Sequence, residues 1–108
     1  MSATTQLAEK TDHQIEDIIL KIREKMPLIA EKYHIKTLQV FGSYVRGEQR
    51  KKSDMDILVE FNRIIDLFSF IELENYLSDI LGIKVDLVMK DTLKSRIKES
   101  ILQESIPV

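Results

Sequence analysis

The sequence predicts an α/β fold of the α+β kind, a small mixed β-sheet flanked by helices, in the order α-α-β-turn-β-α-β-α. Three observations carry that expectation. Segments 37–41, 54–61 and 84–89 are short, partly β-branched runs of strand length. Segments 15–26, 67–81 and 93–101 repeat apolar residues at helical spacing. The 108 residues, 44% hydrophobic and 31% charged, contain no stretch that reads as linker or repeat, so one core serves the chain. The expected organisation is a flexible N-terminus at 1–11 and a single domain over 12–108.

Each element has its own signal. Asp12 is a good N-cap, and Ile15, Ile18, Ile19, Ile22 and Met26 follow it on one helical face. Pro27 is expected to end or kink this helix and to open a second, short one reaching about Tyr33. Thr37–Phe41 reads as a strand closed by Gly42, and Ser43–Arg46 as one helical turn closed by Gly47. A polar loop, 48–53, leads to the strand Asp54–Phe61. Leu67–Leu81 reads as a helix with Gly82 at C′ and Phe68, Phe70, Leu73 and Leu77 as core, its apolar face wide enough to reach a partner surface. Lys84–Met89 is the third strand. Asp91 is expected to cap a last helix carrying Leu93, Ile97 and Ile101.

Composition excludes several functions. With no cysteine there is no disulfide frame, thiol nucleophile or thiolate zinc site, and a reducing, cytoplasmic setting is expected. His13 and His34 are isolated and read as surface residues. A net charge of −2 argues against direct DNA binding through bulk phosphate attraction. No apolar run is long enough to suggest a membrane span or signal segment.

The chemistry concentrates in Gly42-Ser43, ten residues, then Asp54-Met55-Asp56. Strand alternation points both carboxylates to one side, about 6–7 Å apart along the strand. Their mutual repulsion is relieved by a shared cation, and hard oxygen ligands in small number suit Mg²⁺, which completes its shell with water and phosphate. Asp86 lies in the apolar run Val85-Asp86-Leu87-Val88, where a charge in a buried strand needs a reason; its plainer reading is an Asp on an exposed edge strand. On a neighbouring strand it would join the other two and hold two metal ions about 3.5–4 Å apart, an arrangement for in-line phosphoryl or nucleotidyl displacement. Gly42 lets backbone approach a ligand, and the turn after it aims N–H groups and the Ser43 hydroxyl at an anion. Arg46, Arg50, Lys51 and Lys52 make 44–52 locally basic. Arg46 serves a helix end or a ligand, the other three a solvated loop or phosphate, and Tyr44 the sheet or a base.

The stretch GSYVRGEQRKKSDMDILVEF resembles the signature of the minimal nucleotidyltransferases (the MNT family), small relatives of the DNA polymerase β and kanamycin nucleotidyltransferase superfamily. Gly42, Ser43, Asp54 and Asp56 match the fixed positions of G-S-x10-D-x-D, and Asp86 matches the later carboxylate in a VDLV-type strand. At ordinary residue usage the four positions coincide by chance in such a chain about once in a thousand. The resemblance spans roughly residues 12–108. It implies ATP as donor, Mg²⁺ on Asp54, Asp56 and Asp86, and Gly42, Ser43 and Arg46 at the nucleotide, with Asp86 helping to deprotonate the attacking hydroxyl. It further implies a HEPN-type ribonuclease toxin as partner, silenced by AMP attached to a tyrosine, which makes the chain a type VII antitoxin. Two other functions fit the residues: a non-catalytic antitoxin that masks its partner by occlusion, and a stand-alone transferase on a small molecule or RNA end.

Overall fold

The strand that carries Asp56, β2 (Met55–Phe61), lies inside a four-stranded sheet, between β3 (Val85–Met89) and β1 (Ile35–Phe41), with β4 (Ile106–Pro107) beyond β1. The computed structural model describes the backbone of residues 3–50 and 53–108 and the side chains from Gln14 onward within them. Strand β1 (Ile35–Phe41) runs antiparallel to β2 (Met55–Phe61), and β2 runs parallel to β3 (Val85–Met89). The crossover between β2 and β3 is helix α3 (Leu67–Leu81), as parallel neighbours require. The sheet is therefore mixed, as expected.

Helix α1 is longer than its signals suggested. It runs unbroken from Ala3 to Tyr33, so Asp12 lies inside it instead of capping it, and residues 3–11, expected to fray, are helical. Met1 and Ser2, and with them part of that expectation, lie outside the described residues. Ala3, Gln6, Leu7, Ala8, Glu9 and Lys10 are good helix formers, and no Gly or Pro stops the segment before Asp12. Pro27 also stays within α1. It sits on the exposed side of the helix, so the Arg23 carbonyl that loses its N–H partner can turn to water. His34 then ends the helix in the left-handed conformation, φ 58°, and its carbonyl accepts from the Asn62 N–H at 2.8 Å.

Helices α1 and α3 cover one sheet face. Ile22, Leu73 and Leu77 pack there against the inward side chains of Val40, Met55 and Ile57, all fully buried. Leu58 points the other way and is buried too, so the central strand is covered on both sides. Phe70 meets Phe61 edge-on, ring centroids 6.4 Å apart. Phe68, expected in the core, is 85% exposed. Two residues turn a helix by about 200°, which sends Phe68 away from the face that Phe70 and Leu73 bury.

The chain end departs most from expectation. Asp91 does not cap a helix: it sits in a 3₁₀ turn, Lys90–Thr92, where the Thr92 hydroxyl donates to the Met89 carbonyl at 2.7 Å. Helix α4 begins later and spans Ser95–Glu104. It leads into β4 (Ile106–Pro107), which adds to the far edge of β1 with Val40 opposite Ile106. Two residues, one a proline, carry no strand pattern, and proline is tolerated on an edge strand because it has no ladder N–H to lose.

Candidate active site

The short helix α2 (Ser43–Arg46) follows β1 directly, and Gly42 forms the junction. Its φ of 86° and ψ of −156° lie in a region essentially reserved for glycine. A Cβ at this position would overlap Oδ2 of Asp56 and stand 3.0 Å from its Cγ. The glycine is needed twice, for its conformation and for the approach of Asp56. Its carbonyl accepts from the N–H groups of Val45 and Arg46 at 3.1 and 3.2 Å, while Glu48 N–H bonds the Ser43 carbonyl at 2.8 Å. The turn is thereby closed on itself.

The antiparallel register sets Phe41 opposite Asp56, which brings Gly42 against that carboxylate. The parallel register sets Asp56 opposite Asp86. Side chains of paired residues in adjacent strands share a face, so these two acids are neighbours. The reason given for Asp86 nevertheless needs correction. It is not buried: β3 is an edge strand and Asp86 faces solvent. Its place beside Asp56 comes from strand pairing, and burial has no part in it. Asp54 lies just before β2 and lines a cleft of about 660 Å³ together with Tyr44, Gln49, Arg50 and Lys84.

Asp56 carries the electrostatic burden. Its carboxyl is pushed up from 3.8 to about 6, chiefly by burial, then by Asp86 and Asp54, with Arg46 opposing and Glu104 adding. Among the described residues, no three histidine, cysteine, aspartate or glutamate side chains are grouped so as to hold a metal ion by themselves. The donor set still fits one kind of ion. It consists of carboxylate oxygens only, held apart by repulsion, one of them costly to ionise alone, which suits a hard divalent cation that keeps water and phosphate ligands. Asp54, Asp56 and Asp86 are the residues that would hold it.

Arg46 is engaged by protein. Its Nε donates to Glu48 at 2.7 Å and its Nη1 to both oxygens of Glu104, at 2.9 and 3.0 Å. Oε2 of Glu104 also accepts the Gly42 N–H at 2.8 Å. Glu104 was not anticipated, and no local pattern marks it, since it stands 62 residues from Gly42. Tyr44 is buried against the sheet, its hydroxyl raised above the usual phenol range by burial and by Asp54 and donating to the Ser53 carbonyl at 3.4 Å. Arg50 lines the cleft, and its N–H donates to the Ser53 hydroxyl at 2.7 Å. Lys51 and Lys52 lie outside the described residues.

Known proteins share both sequence and fold with this chain. The nucleotidyltransferase domain family model matches residues 10–108. A candidate protein adenylyltransferase of Methanocaldococcus jannaschii is 51% identical over 100 residues, 92% of this chain and 99% of its own. Protein adenylyltransferase MntA of Thermococcus cleftensis is 45% identical over 102 residues, 94% of this chain and all of its own. The solved structure of a candidate minimal nucleotidyltransferase superposes with a TM-score of 0.73 at 34% identity, covering 85% of this chain and 94% of that one. A complex of tri-AMPylated Shewanella oneidensis HEPN toxin with its MNT antitoxin shares the fold, with a TM-score of 0.56 at 22% identity and coverage of 90% and 70%.

Proposed function

The chain belongs to the nucleotidyltransferase domain family, and on that premise we propose that it transfers AMP from ATP to a hydroxyl of a partner protein. The partner in this reading is a HEPN-type ribonuclease toxin, the acceptor a tyrosine hydroxyl, and the chain the toxin's antitoxin. The names of its relatives support adenylyl transfer to protein, and the HEPN complex that shares its fold supports the kind of partner. The observation that carries the reading is the pairing of Asp56 with Asp86 beneath Gly42.

In the reaction the acceptor oxygen attacks the α-phosphorus of ATP, the bond to the pyrophosphate oxygen breaks, and pyrophosphate leaves. The turn at Gly42 and Ser43 receives the phosphates, since only glycine lets the chain come so close to Asp56. Asp86, on the open edge strand, faces the side from which a partner can approach and takes the proton of the attacking hydroxyl. Asp54, Asp56 and Asp86 would hold two Mg²⁺ ions, which supply charge stabilisation at the attacking and leaving oxygens. Among the described residues no helix is long and apolar enough to cross a membrane, and the absence of cysteine suits a reducing cytoplasm.

The test is incorporation of labelled AMP into a toxin co-expressed with this chain. Asp56→Asn should abolish it while the chain still folds and binds the toxin. Labelling at the wild-type level would reject the proposed site. The occlusion reading is separated in the same experiment: full neutralisation of the toxin by the labelling-dead variant, at normal stoichiometry, would favour masking over chemistry.

A further inference from the structure

We propose that Glu104 is a positioning residue for the nucleotide, tying the last turn of α4 to the phosphate turn and fixing the Gly42 N–H and the Arg46 guanidinium; this rests on the nucleotidyltransferase reading above. Both carboxylate oxygens are used. Oε2 accepts from Gly42 N–H at 2.8 Å and from Arg46 Nη1 at 3.0 Å, and Oε1 accepts from Nη1 at 2.9 Å. With Nε on Glu48, the guanidinium is clamped between two carboxylates. Its Nη2 edge has no protein partner among the described residues and is left for an anion.

The tie is rigid at both ends. Ser105, the next residue, accepts from the Gln39 side chain at 3.0 Å, and β4 then pairs with β1 at Gln39 and Val40. The segment carrying Glu104 is thus bolted to the strand that delivers Gly42, two residues before its end. Gly42 itself has the freest backbone a residue can have, so its N–H needs an external partner to keep one direction. A neutral side chain could hold a turn together. A carboxylate here adds a further negative charge near Asp56, which packing alone does not call for and a cation-bound nucleotide tolerates.

The experiment uses the full chain as wild type, Glu104→Ala, Glu104→Asp, Glu104→Gln and, as an α4 control, Gln103→Ala. Three readouts are taken: hydrogen exchange of the Gly42 amide without ligand, the Kd of AMP-PNP with MgCl₂, and the KM and kcat of AMP transfer. Glu104→Ala and Glu104→Asp, the latter one methylene too short, should raise Gly42 exchange at least about tenfold and weaken AMP-PNP about tenfold, the scale of one charge-assisted hydrogen bond. Glu104→Gln, which can still accept from Gly42 but brings no charge to Arg46, should keep Gly42 exchange within about threefold of wild type and weaken AMP-PNP by less than Glu104→Ala does, and Gln103→Ala should match wild type. AMP transfer to the co-purified toxin should show the loss in KM for ATP, with kcat held within about threefold. If wild type binds AMP-PNP and the Ala and Asp variants bind it equally well, the inference falls and the nucleotidyltransferase reading stands. Tighter binding by Glu104→Ala also overturns it, making Glu104 an anion that blocks the phosphate position. No AMP-PNP binding by wild type overturns both.

Discussion

Replacing Asp56 by asparagine should make the ligand-free protein more stable while removing its chemistry. The folded chain raises this carboxyl from 3.8 to about 6, with burial as the main cause. At about 1.36 kcal/mol per pH unit, ionising Asp56 costs the folded state up to about 3 kcal/mol. Asp56 is only partly buried, so about 1–3 kcal/mol is the expected range. For an acid raised on folding, the stabilising contribution is complete below the unfolded value and disappears as pH rises through the folded one. The cost therefore develops between about pH 4 and 6 and is fully present at pH 7.5. Asparagine has the same shape and never ionises, so it escapes the cost. Thermal unfolding without divalent ions should show Asp56→Asn roughly 4–13 °C above wild type at pH 7.5, given the unfolding entropy of a domain this size. At pH 4 the two should nearly coincide. Adding 10 mM MgCl₂ at pH 7.5 should raise wild type and leave the variant where it was, narrowing the gap. A gain of equal size at both pH values, or a loss at pH 7.5, would refute the electrostatic reasoning.

Three further outcomes follow from single contacts. Gly42→Ala places a Cβ on the Asp56 carboxylate in a backbone conformation closed to alanine; urea unfolding should show a loss of about 2–3 kcal/mol, and AMP labelling should disappear. Pro27→Ala restores an N–H inside α1 on its exposed side, and chemical denaturation should register a gain of about 1–2 kcal/mol. Phe68→Ser, at a side chain 85% exposed, should leave the unfolding free energy within about 0.5 kcal/mol, whereas a fall of 2 kcal/mol or more would put that ring back in the core.

What could be read in advance was whatever short-range geometry decides. A strand ending at Gly42, a closed turn and a strand opening near Asp54 form two antiparallel neighbours, and the register of Phe41 with Asp56 then brings glycine and acid together. Ten residues between Ser43 and Asp54 are the path between those strand ends, so the spacing encodes the contact. For Asp86 the strand pairing is legible and the exposure is not. Its strand looked buried because its neighbours Val85 and Leu87 are, yet they point to the helices and Asp86 points away. Alternation along a half-covered edge strand explains both facts, and pairing with β2 does the rest. Pro27 and Phe68 misled for opposite reasons. One is tolerated because its lost hydrogen bond faces water, and the other shares an apolar run with core residues but not their side of the helix. Glu104 and β4 could not be seen, because a two-residue strand has no period and a contact across 62 residues has no local trace.

The candidate site is therefore assembled from three sources with different energetic consequences. Gly42, Ser43, Asp54 and Asp56 arrive together with the β1–β2 pair, whereas Asp86 comes only with the β2–α3–β3 crossover and Glu104 only with the chain end. Completing the sheet gathers further carboxylates around Asp56, and of the groups that shift its carboxyl only burial, Asp86, Asp54 and Glu104 push upward while Arg46 alone resists. Each step toward a working arrangement thus makes the ligand-free state harder to hold at neutral pH. An α1–α3 core with Ile22, Leu73 and Leu77 fully buried gives the fold the margin to carry that repulsion. Under the proposed function, a cation with a triphosphate would bind only the completed arrangement, and its binding free energy would be added to folding and offset the same repulsion. On that proposal the acids are arranged for the complex at the expense of the ligand-free protein, and for that reason the stability of the Asp56→Asn variant, measured with and without Mg²⁺, tests the site independently of any acceptor.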